Sequence, residues 1–357
     1  MPLVAHAELP IFDRLREEGQ HILSPAYAAH QDIRELHIGL LNMMPDAALA
    51  ATERQFFRLL GACNQIVQFR AHLFTVEGLE RSQEAKDYIA RYYEPFEQIQ
   101  NEGLDALIVS GANVTHPRLS EEPFWQPLSK VFDWAKSNVT SILCSCLATH
   151  ALIQYCYDIE RTHLGEKRWG VFPHRVVERR HPLVSDINTR FDVPHSRFNE
   201  VFRCDMEAVG LKVLVESEQA GVHLAVSPDL FRVVFFQGHP EYDAISLLKE
   251  YKREVLCYGQ GDREDYPPFP ENYFNADATR ILEEYRQRIL AARRSRRSLP
   301  EFPEQLLTPY LDNTWRDTAK AVFNDWLGLI YQITDQDRRI PFMKGIDPDN
   351  PLNLILD

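Results

Sequence analysis

The feature that most limits what this chain can fold into is a regular alternation of apolar β-rich runs and amphipathic helical runs through its first half. "ELHIGLLNMM" (35–44) reads as a buried strand, and "LAATERQFFRLLGAC" (49–63) has apolar residues at helical spacing. "IVQFRAHLFTV" (66–76) is strand-like again, and "EAKDYIARYYEPFEQIQ" (84–100) is helical. The pattern continues with a strand in "DALIVSGA" (105–112), a helix in "PFWQPLSKVFDWAKS" (123–137) and a strand in "VTSILCSC" (139–146). A helix is expected to start near Leu147. Strands separated by helices of this length make βαβ units, which require parallel neighbours. The expected fold is therefore α/β, a mainly parallel sheet flanked by helices, with its chemistry at the C-terminal strand ends.

The second half is more mixed. "KRWGVFPHRVVE" (167–178) and "KVLVESEQAGVHLAVSPDLFRVVFFQGHPEYD" (212–243) suggest an added antiparallel portion. Helices are expected near 243–257, over 277–294 and over 315–334, joined by the proline-punctuated links 261–274 and 298–309. The stretch after 336 carries little pattern. The proline-rich links are too short to force a domain split, so one elaborated α/β domain is expected.

A formal net charge of -13 sets the electrostatic background. An acidic protein repels phosphate backbones, so nucleic acid is not an expected partner. The one basic run, "AARRSRRS" (291–298), reads as a solvated helix end. The N-terminus has no basic region followed by an apolar one, so no signal peptide is expected. No apolar run reaches bilayer length, so no membrane partner is expected either. Six cysteines among 357 residues are too sparse for a disulfide scaffold and fit reduced thiols in the cytoplasm.

Two of those cysteines carry the main question. Cys146 falls at the junction of a strand and a helix, the place of a nucleophile elbow, where the helix N-terminus favours a thiolate. Cys144, two residues earlier, falls within the strand. At this point four readings stand: two buried cysteines, a nucleophile at 146, a metal site using Cys144, Cys146 and His150, or a tight disulfide. The metal reading lacks a second ligand pair. "VVFFQGHPEYD" (233–243) shifts the balance. A buried strand there ends in Gly238, and residues i and i+2 of an extended chain share a side. Glu241 can thus contact His239 and fix its tautomer, the third-group role in a nucleophile–base–orienter set. Gly111, which ends "DALIVSG", allows a close turn whose N–H groups could stabilise an oxyanion.

Cys146, His239 and Glu241 resemble the triad of the class I glutamine amidotransferase-like (flavodoxin-like) fold. "LLNMMP" (40–45), "RQFFRLL" (54–60), "ALIVSGA" (106–112), "HSRFNEV" (195–201), "GHPEYDA" (238–244) and "WRDTAKAVFNDWL" (315–327) narrow this further. Together they resemble the homoserine O-succinyltransferase family, the homoserine transacylases of methionine biosynthesis. The resemblance implies an N-terminal extension (1–34), a transacylase α/β domain (35–335) and a C-terminal tail (336–357). It implies Cys146 as acyl-thioester nucleophile, His239 as general base and Glu241 as its orienter. Lys167, Ser196 and Arg253 stand at substrate-binding positions, and these residue types suit an amino acid. Gly111, Ala112 and Leu147 would supply the oxyanion N–H groups. L-homoserine and succinyl-CoA are the implied substrates, with no bound cofactor or metal, and a homodimer is expected.

Two departures from the family pattern matter. After "LNMMP" the familiar succinyltransferases have paired lysines; here "DAALAATERQ" (46–55) has none to meet the negatively charged coenzyme A. The acyl-selecting position resembles glycine in succinyl-users and glutamate in acetyl-users; here it is Thr115. Threonine is neutral, which tilts toward succinyl. The alternatives are acetyl-CoA as donor, serine as acceptor, or a glutamine amidotransferase-type hydrolase. The last is disfavoured because Cys144 and Ala148 stand where G-x-C-x-G would have glycines.

Overall fold

The computed structural model describes residues 3–20, 22–29, 34–63 and 67–355. Its strands are β1 (Leu3–Val4), β2 (Ile22–Leu23), β3 (Glu35–Leu41), β4 (Gln68–Phe74), β5 (Ala106–Val109), β6 (Ser141–Ser145), β7 (Thr162–Val176), β8 (Arg190–Glu200), β9 (Lys212–Ser217), β10 (Gly221–Val226) and β11 (Val233–Phe236). Its helices are α1 (Pro10–Glu17), α2 (Pro25–Ala28), α3 (Asp46–Ala62), α4 (Gln83–Tyr92), α5 (Phe96–Glu102), α6 (Trp125–Asn138), α7 (Leu147–Tyr157), α8 (Arg203–Ala208), α9 (Ser246–Gln260), α10 (Ala276–Ser295), α11 (Glu304–Leu307) and α12 (Arg316–Ile333).

All strands join one sheet in the order β2-β1-β4-β3-β5-β6-β11-β10-β9-β7-β8. Neighbours from β2 across to β11 are parallel, and those from β11 to β8 are antiparallel. The central run β4-β3-β5-β6-β11 has the doubly wound order 2-1-3-4-5. In that order the crevice forms at the carboxyl ends of the strands, where the winding reverses.

The central strands are apolar on both faces because helices cover both. Along β5, Ala106 and Ile108 join one core, while Leu107 and Val109 join the other. Strand β11 divides the same way, Val234 and Phe236 against Val233 and Phe235. This is the period of two expected of a pleated strand. The first core receives Phe56, Phe57 and Leu60 of α3 and Phe323 and Trp326 of α12. The second receives Leu128, Val131 and Phe132 of α6 and Ala151 and Leu152 of α7. A third cluster packs α9 and α10 around Trp169, Tyr251 and Trp315.

Four differences from the sequence reading have physical causes. The helix expected over 84–100 is two helices, because Pro95 has no N–H to continue α4 and instead caps α5. Strand β11 is antiparallel only to β10; toward β6 it runs parallel, with Phe236 opposite Ser145. Local hairpin signals reveal the first pairing and say nothing of the second. Strand β8 escaped the pattern reading because "RFDVPHSRFNE" is polar and contains Pro194, which an edge strand tolerates. Near the N-terminus, β1 and β2 extend the parallel edge, and Phe12 of α1 stacks on Phe57 of α3. Ile66, with which one expected strand begins, lies outside the described residues.

Residues after 336 pack at the end of the sheet opposite Cys146. Thr140 donates to the Pro341 carbonyl, and Met343 N–H to the Ile333 carbonyl. Among the described residues, no helix is long and apolar enough to cross a membrane.

Candidate active site

Strand β6 ends at Ser145, and α7 begins at Leu147, so Cys146 is the single residue of the turn between them. It has φ 52° and ψ -108°, a conformation that an L-residue holds only under constraint. The constraint is visible. Cys146 N–H donates to the Phe236 carbonyl at 2.8 Å, and the Cys146 carbonyl accepts from Thr149 N–H at 3.0 Å. Thr149 Oγ1 in turn lies 3.0 Å from the Cys144 carbonyl and 2.8 Å from that of Phe236. The parallel β6–β11 pairing thus fixes the elbow. Cys144 points into the α6–α7 core and is fully buried; burial pushes its thiol well above the ordinary range. His150 is also fully enclosed and bonds Gln237 Oε1 through Nε2 at 3.0 Å.

The loop after β11 brings His239 to the elbow. Its main-chain N–H donates to the Pro194 carbonyl at 2.8 Å. Gly238 is required beside it: a Cβ there would lie 2.6 Å from Val193 Cγ1 and 2.9 Å from the His195 ring. On one side His239 shares the cleft wall with Cys146, whose sulfur raises its basicity. On the other, Nδ1 meets Glu241 Oε1 at 2.8 Å. Ser145 Oγ donates to the same carboxylate oxygen at 3.1 Å, so Glu241 has two anchors. Burial alone would lower the imidazole pKa. The Cys146 sulfur and the Glu241 carboxylate outweigh it and hold His239 well above 6.5.

These groups open on a cleft of about 430 Å³ walled by Met44, Gly111, Ala112, Leu147 and the start of α9. Gly111 and Ala112 follow the end of β5, and Leu147 N–H belongs to the first turn of α7, whose donors have no intrahelical acceptor. Across the cleft, Ser196 Oγ donates to Glu250 Oε2 at 2.5 Å, and Lys167 Nζ lies 3.2 Å from the same oxygen. Tyr242 donates to Glu250 Oε1 at 2.8 Å. Burial works against the Glu250 carboxylate, but Lys167, Ser196 and Tyr242 overcome it and keep its pKa below 4.5. Arg253 lies one turn further along α9, lines the cleft and has a side chain 64% exposed. Arg54 and Arg58 of α3 both pair with Asp243, which ties α3 to the loop that carries His239.

Thr115 is exposed and does not line this cleft. Its N–H donates to Glu122 Oε1 at 2.6 Å, as does that of His116 at 2.7 Å. A nearly buried carboxylate therefore already stands beside Thr115.

The sequence reading passed over Glu250, Tyr242 and Ser145. Glu250 precedes Arg253 by three residues and so shares a helix face with it, a signal that could have been used. Tyr242 lies within the quoted "GHPEYDA". Nothing local marks Ser145, whose role depends on Glu241 arriving from another strand.

Among the described residues, one group elsewhere has metal-ligand chemistry: His6, His72 and Glu94 bring ligand atoms within 4.8 Å of one another. Arg338 approaches His37 Nε2 and, having only donors, makes that nitrogen an acceptor. Burial keeps His37 neutral, down to about 2, so its proton sits on Nδ1 and is given to His72 Nε2 at 2.8 Å. His72 Nδ1–H then faces Glu94 Oε1 at 2.9 Å. His72 and Glu94 are committed to each other by hydrogen bonds.

A thiol at a constrained elbow, an imidazole raised in basicity and a buried carboxylate form a set that can take up an acyl group and pass it on. Comparisons with known proteins bear on the family, not on the roles of these residues. The family model described as homoserine O-succinyltransferase matches residues 2–336. The chain is 72% identical over 354 residues to the homoserine O-succinyltransferase of Methylococcus capsulatus, covering 99% of this chain and 100% of that one. It is 71% identical to that of Methylobacter tundripaludum, with 99% and 100% covered. For that of Cardiobacterium hominis the identity is 51%, with 99% of each covered. Among solved structures, a glutamine amidotransferase from Thermotoga maritima superposes with a TM-score of 0.45 at 12% identity, over 83% of this chain and 97% of that one.

Proposed function

The chain belongs to the homoserine O-succinyltransferase family, and on that premise we propose that it transfers a succinyl group from succinyl-CoA to the hydroxyl of L-homoserine through a thioester on Cys146. The observation that carries the mechanism is that Cys146, His239 and Glu241 line one cleft, with His239 Nδ1 bonded to Glu241 Oε1. The family's activity implies an acyl-CoA co-substrate and a place in methionine biosynthesis.

In the first half-reaction the Cys146 thiolate attacks the thioester carbonyl. The oxyanion is held by N–H groups of Gly111, Ala112 and Leu147. The carbon–sulfur bond to coenzyme A breaks, and its thiolate takes the His239 proton. One thioester replaces another, so the step needs little driving force. In the second half-reaction homoserine enters with its ammonium toward Glu250 and its carboxylate toward Arg253. Lys167 and Ser196 hold Glu250 ionised and in place. His239 removes the hydroxyl proton, the oxygen attacks the acyl carbon, and Cys146 leaves as thiolate. Water is a poor competitor because the ammonium and carboxylate contacts hold the acceptor hydroxyl at the acyl carbon.

Succinyl as the acyl group is supported by the family to which the chain belongs. Lys249, exposed on the cleft, supplies positive charge toward coenzyme A where the 46–55 segment offers no lysine. A homodimer in the cytoplasm completes the proposal and is checked by light scattering and fractionation. The central test is mass spectrometry after mixing with succinyl-CoA alone. The protein should gain one succinyl group, and Cys146→Ala should gain none. Normal turnover by Cys146→Ala would sink the mechanism.

A further inference from the structure

Tyr242 lies between the two halves of the site and is used by neither half of the mechanism above. Its ring is stacked on the His239 imidazole, with centroids 4.2 Å apart and planes 17° from parallel. Its hydroxyl donates to Glu250 Oε1 at 2.8 Å. Its carbonyl accepts from the Trp315 indole N–H at 2.8 Å, so its backbone is held from a distant part of the chain. Glu250 has its other oxygen bonded to Ser196 and Lys167. The ring therefore cannot shift without disturbing either the imidazole face or the acceptor carboxylate.

We infer that Tyr242 is a positioning residue with two separable jobs: its ring sets the plane of the His239 imidazole, and its hydroxyl fixes Glu250 for the acceptor. The inference rests on the acyl-thioester reading. Glu241 bonds only one edge of the imidazole, which leaves rotation about that bond open. A flat aromatic surface against one face closes that freedom, and stacked rings at this separation attract. Correct placement of a base to within a fraction of an ångström is worth up to about a hundredfold in rate.

The two jobs predict different losses. Tyr242→Phe keeps the ring and removes the hydroxyl. The rate of Cys146 acylation by succinyl-CoA should stay within about twofold, while KM for homoserine rises about tenfold, the scale of one hydrogen bond to a charged group. Tyr242→Leu removes the ring as well. Acylation should slow by about ten- to a hundredfold, with Phe at this position restoring it. Acylation is read by quenched mass spectrometry, KM by steady-state rates, and folding by circular dichroism. An unchanged homoserine KM in Tyr242→Phe overturns the hydroxyl's part, whether or not the Leu variant folds. A folded Tyr242→Leu that acylates as fast as Tyr242→Phe overturns the ring's part. An unsubstituted protein that shows no adduct on Cys146 would remove the thioester mechanism itself, an outcome distinct from both.

Discussion

Replacing Glu241 by glutamine isolates one charge without changing shape. The carboxylate is 5% exposed, lies 2.8 Å from His239 Nδ1 and is steadied by Ser145 Oγ at 3.1 Å. The amide can still accept through its oxygen, so geometry is largely kept and the loss is electrostatic. Opposite unit charges about 4 Å apart attract by about 4 kcal/mol at an effective dielectric near 20, an upper figure for this pair. Mutational values for hydrogen bonds to charged groups, about 1.5–3 kcal/mol, are the better guide. Acylation should therefore slow by about ten- to a hundredfold. The pH dependence should change with a definite sign. His239 is held above 6.5 partly by Glu241, so without that charge its folded pKa falls. The imidazolium then loses its proton at lower pH, and the basic limb of acylation moves toward acid. The same linkage touches folding: protonation of His239 contributes stability that is fully present below its unfolded pKa near 6.5 and fades as pH rises through the folded value. The variant's stability deficit should thus be largest on the acid side. Quenched mass spectrometry of the acyl-enzyme at a series of pH values reads the rate, and denaturant unfolding reads the stability. A rate within threefold of the unsubstituted protein, with an unmoved basic limb, would refute the orienting role of Glu241.

Other substitutions test other parts of the arrangement. Gly238→Ala forces a methyl against Val193 and the His195 ring, so unfolding in urea should show a loss of about 1–3 kcal/mol, accompanied by slower acylation. Cys144→Ser places a hydroxyl in a fully buried apolar site and should lower stability by about 1–3 kcal/mol while the acyl-enzyme still forms. Iodoacetamide at neutral pH should label Cys146 well ahead of Cys144, as peptide mapping would show, because burial holds the Cys144 thiol protonated. Glu250→Gln should raise KM for homoserine by about ten- to a hundredfold, since the acceptor ammonium loses its counter-charge, with little effect on acylation by succinyl-CoA alone. Thr115→Glu adds a second carboxylate beside Glu122 and should shift the ratio of succinyl-CoA to acetyl-CoA turnover toward acetyl; an unchanged ratio would remove this position from donor selection.

The sequence by itself determined the layered architecture. Apolar runs of strand length, alternating with helices, can bury both faces only as a parallel sheet between two helical layers, and β3 to β6 with α3, α6 and α7 take that form. It also placed Cys146 at a strand–helix junction and His239 with Glu241 two residues apart, because these are local facts about spacing. Family likeness over nearly the whole chain then narrowed the chemistry from one triad pattern to one reaction class. What the sequence could not supply was anything that depends on two distant segments meeting. The parallel pairing of β11 with β6 sets the Cys146 elbow, yet each strand alone looks like any buried strand. Ser145 becomes an anchor only when Glu241 arrives beside it. Glu250 is an ordinary helical glutamate until β7 delivers Lys167, β8 delivers Ser196, and the turn before α9 delivers Tyr242. Local pattern is governed by backbone sterics and hydrophobic periodicity, which act over a few residues. The orientation of such a carboxylate is governed by charges and hydrogen bonds that reach it across the sheet, and only the folded chain brings those to within about 3.2 Å.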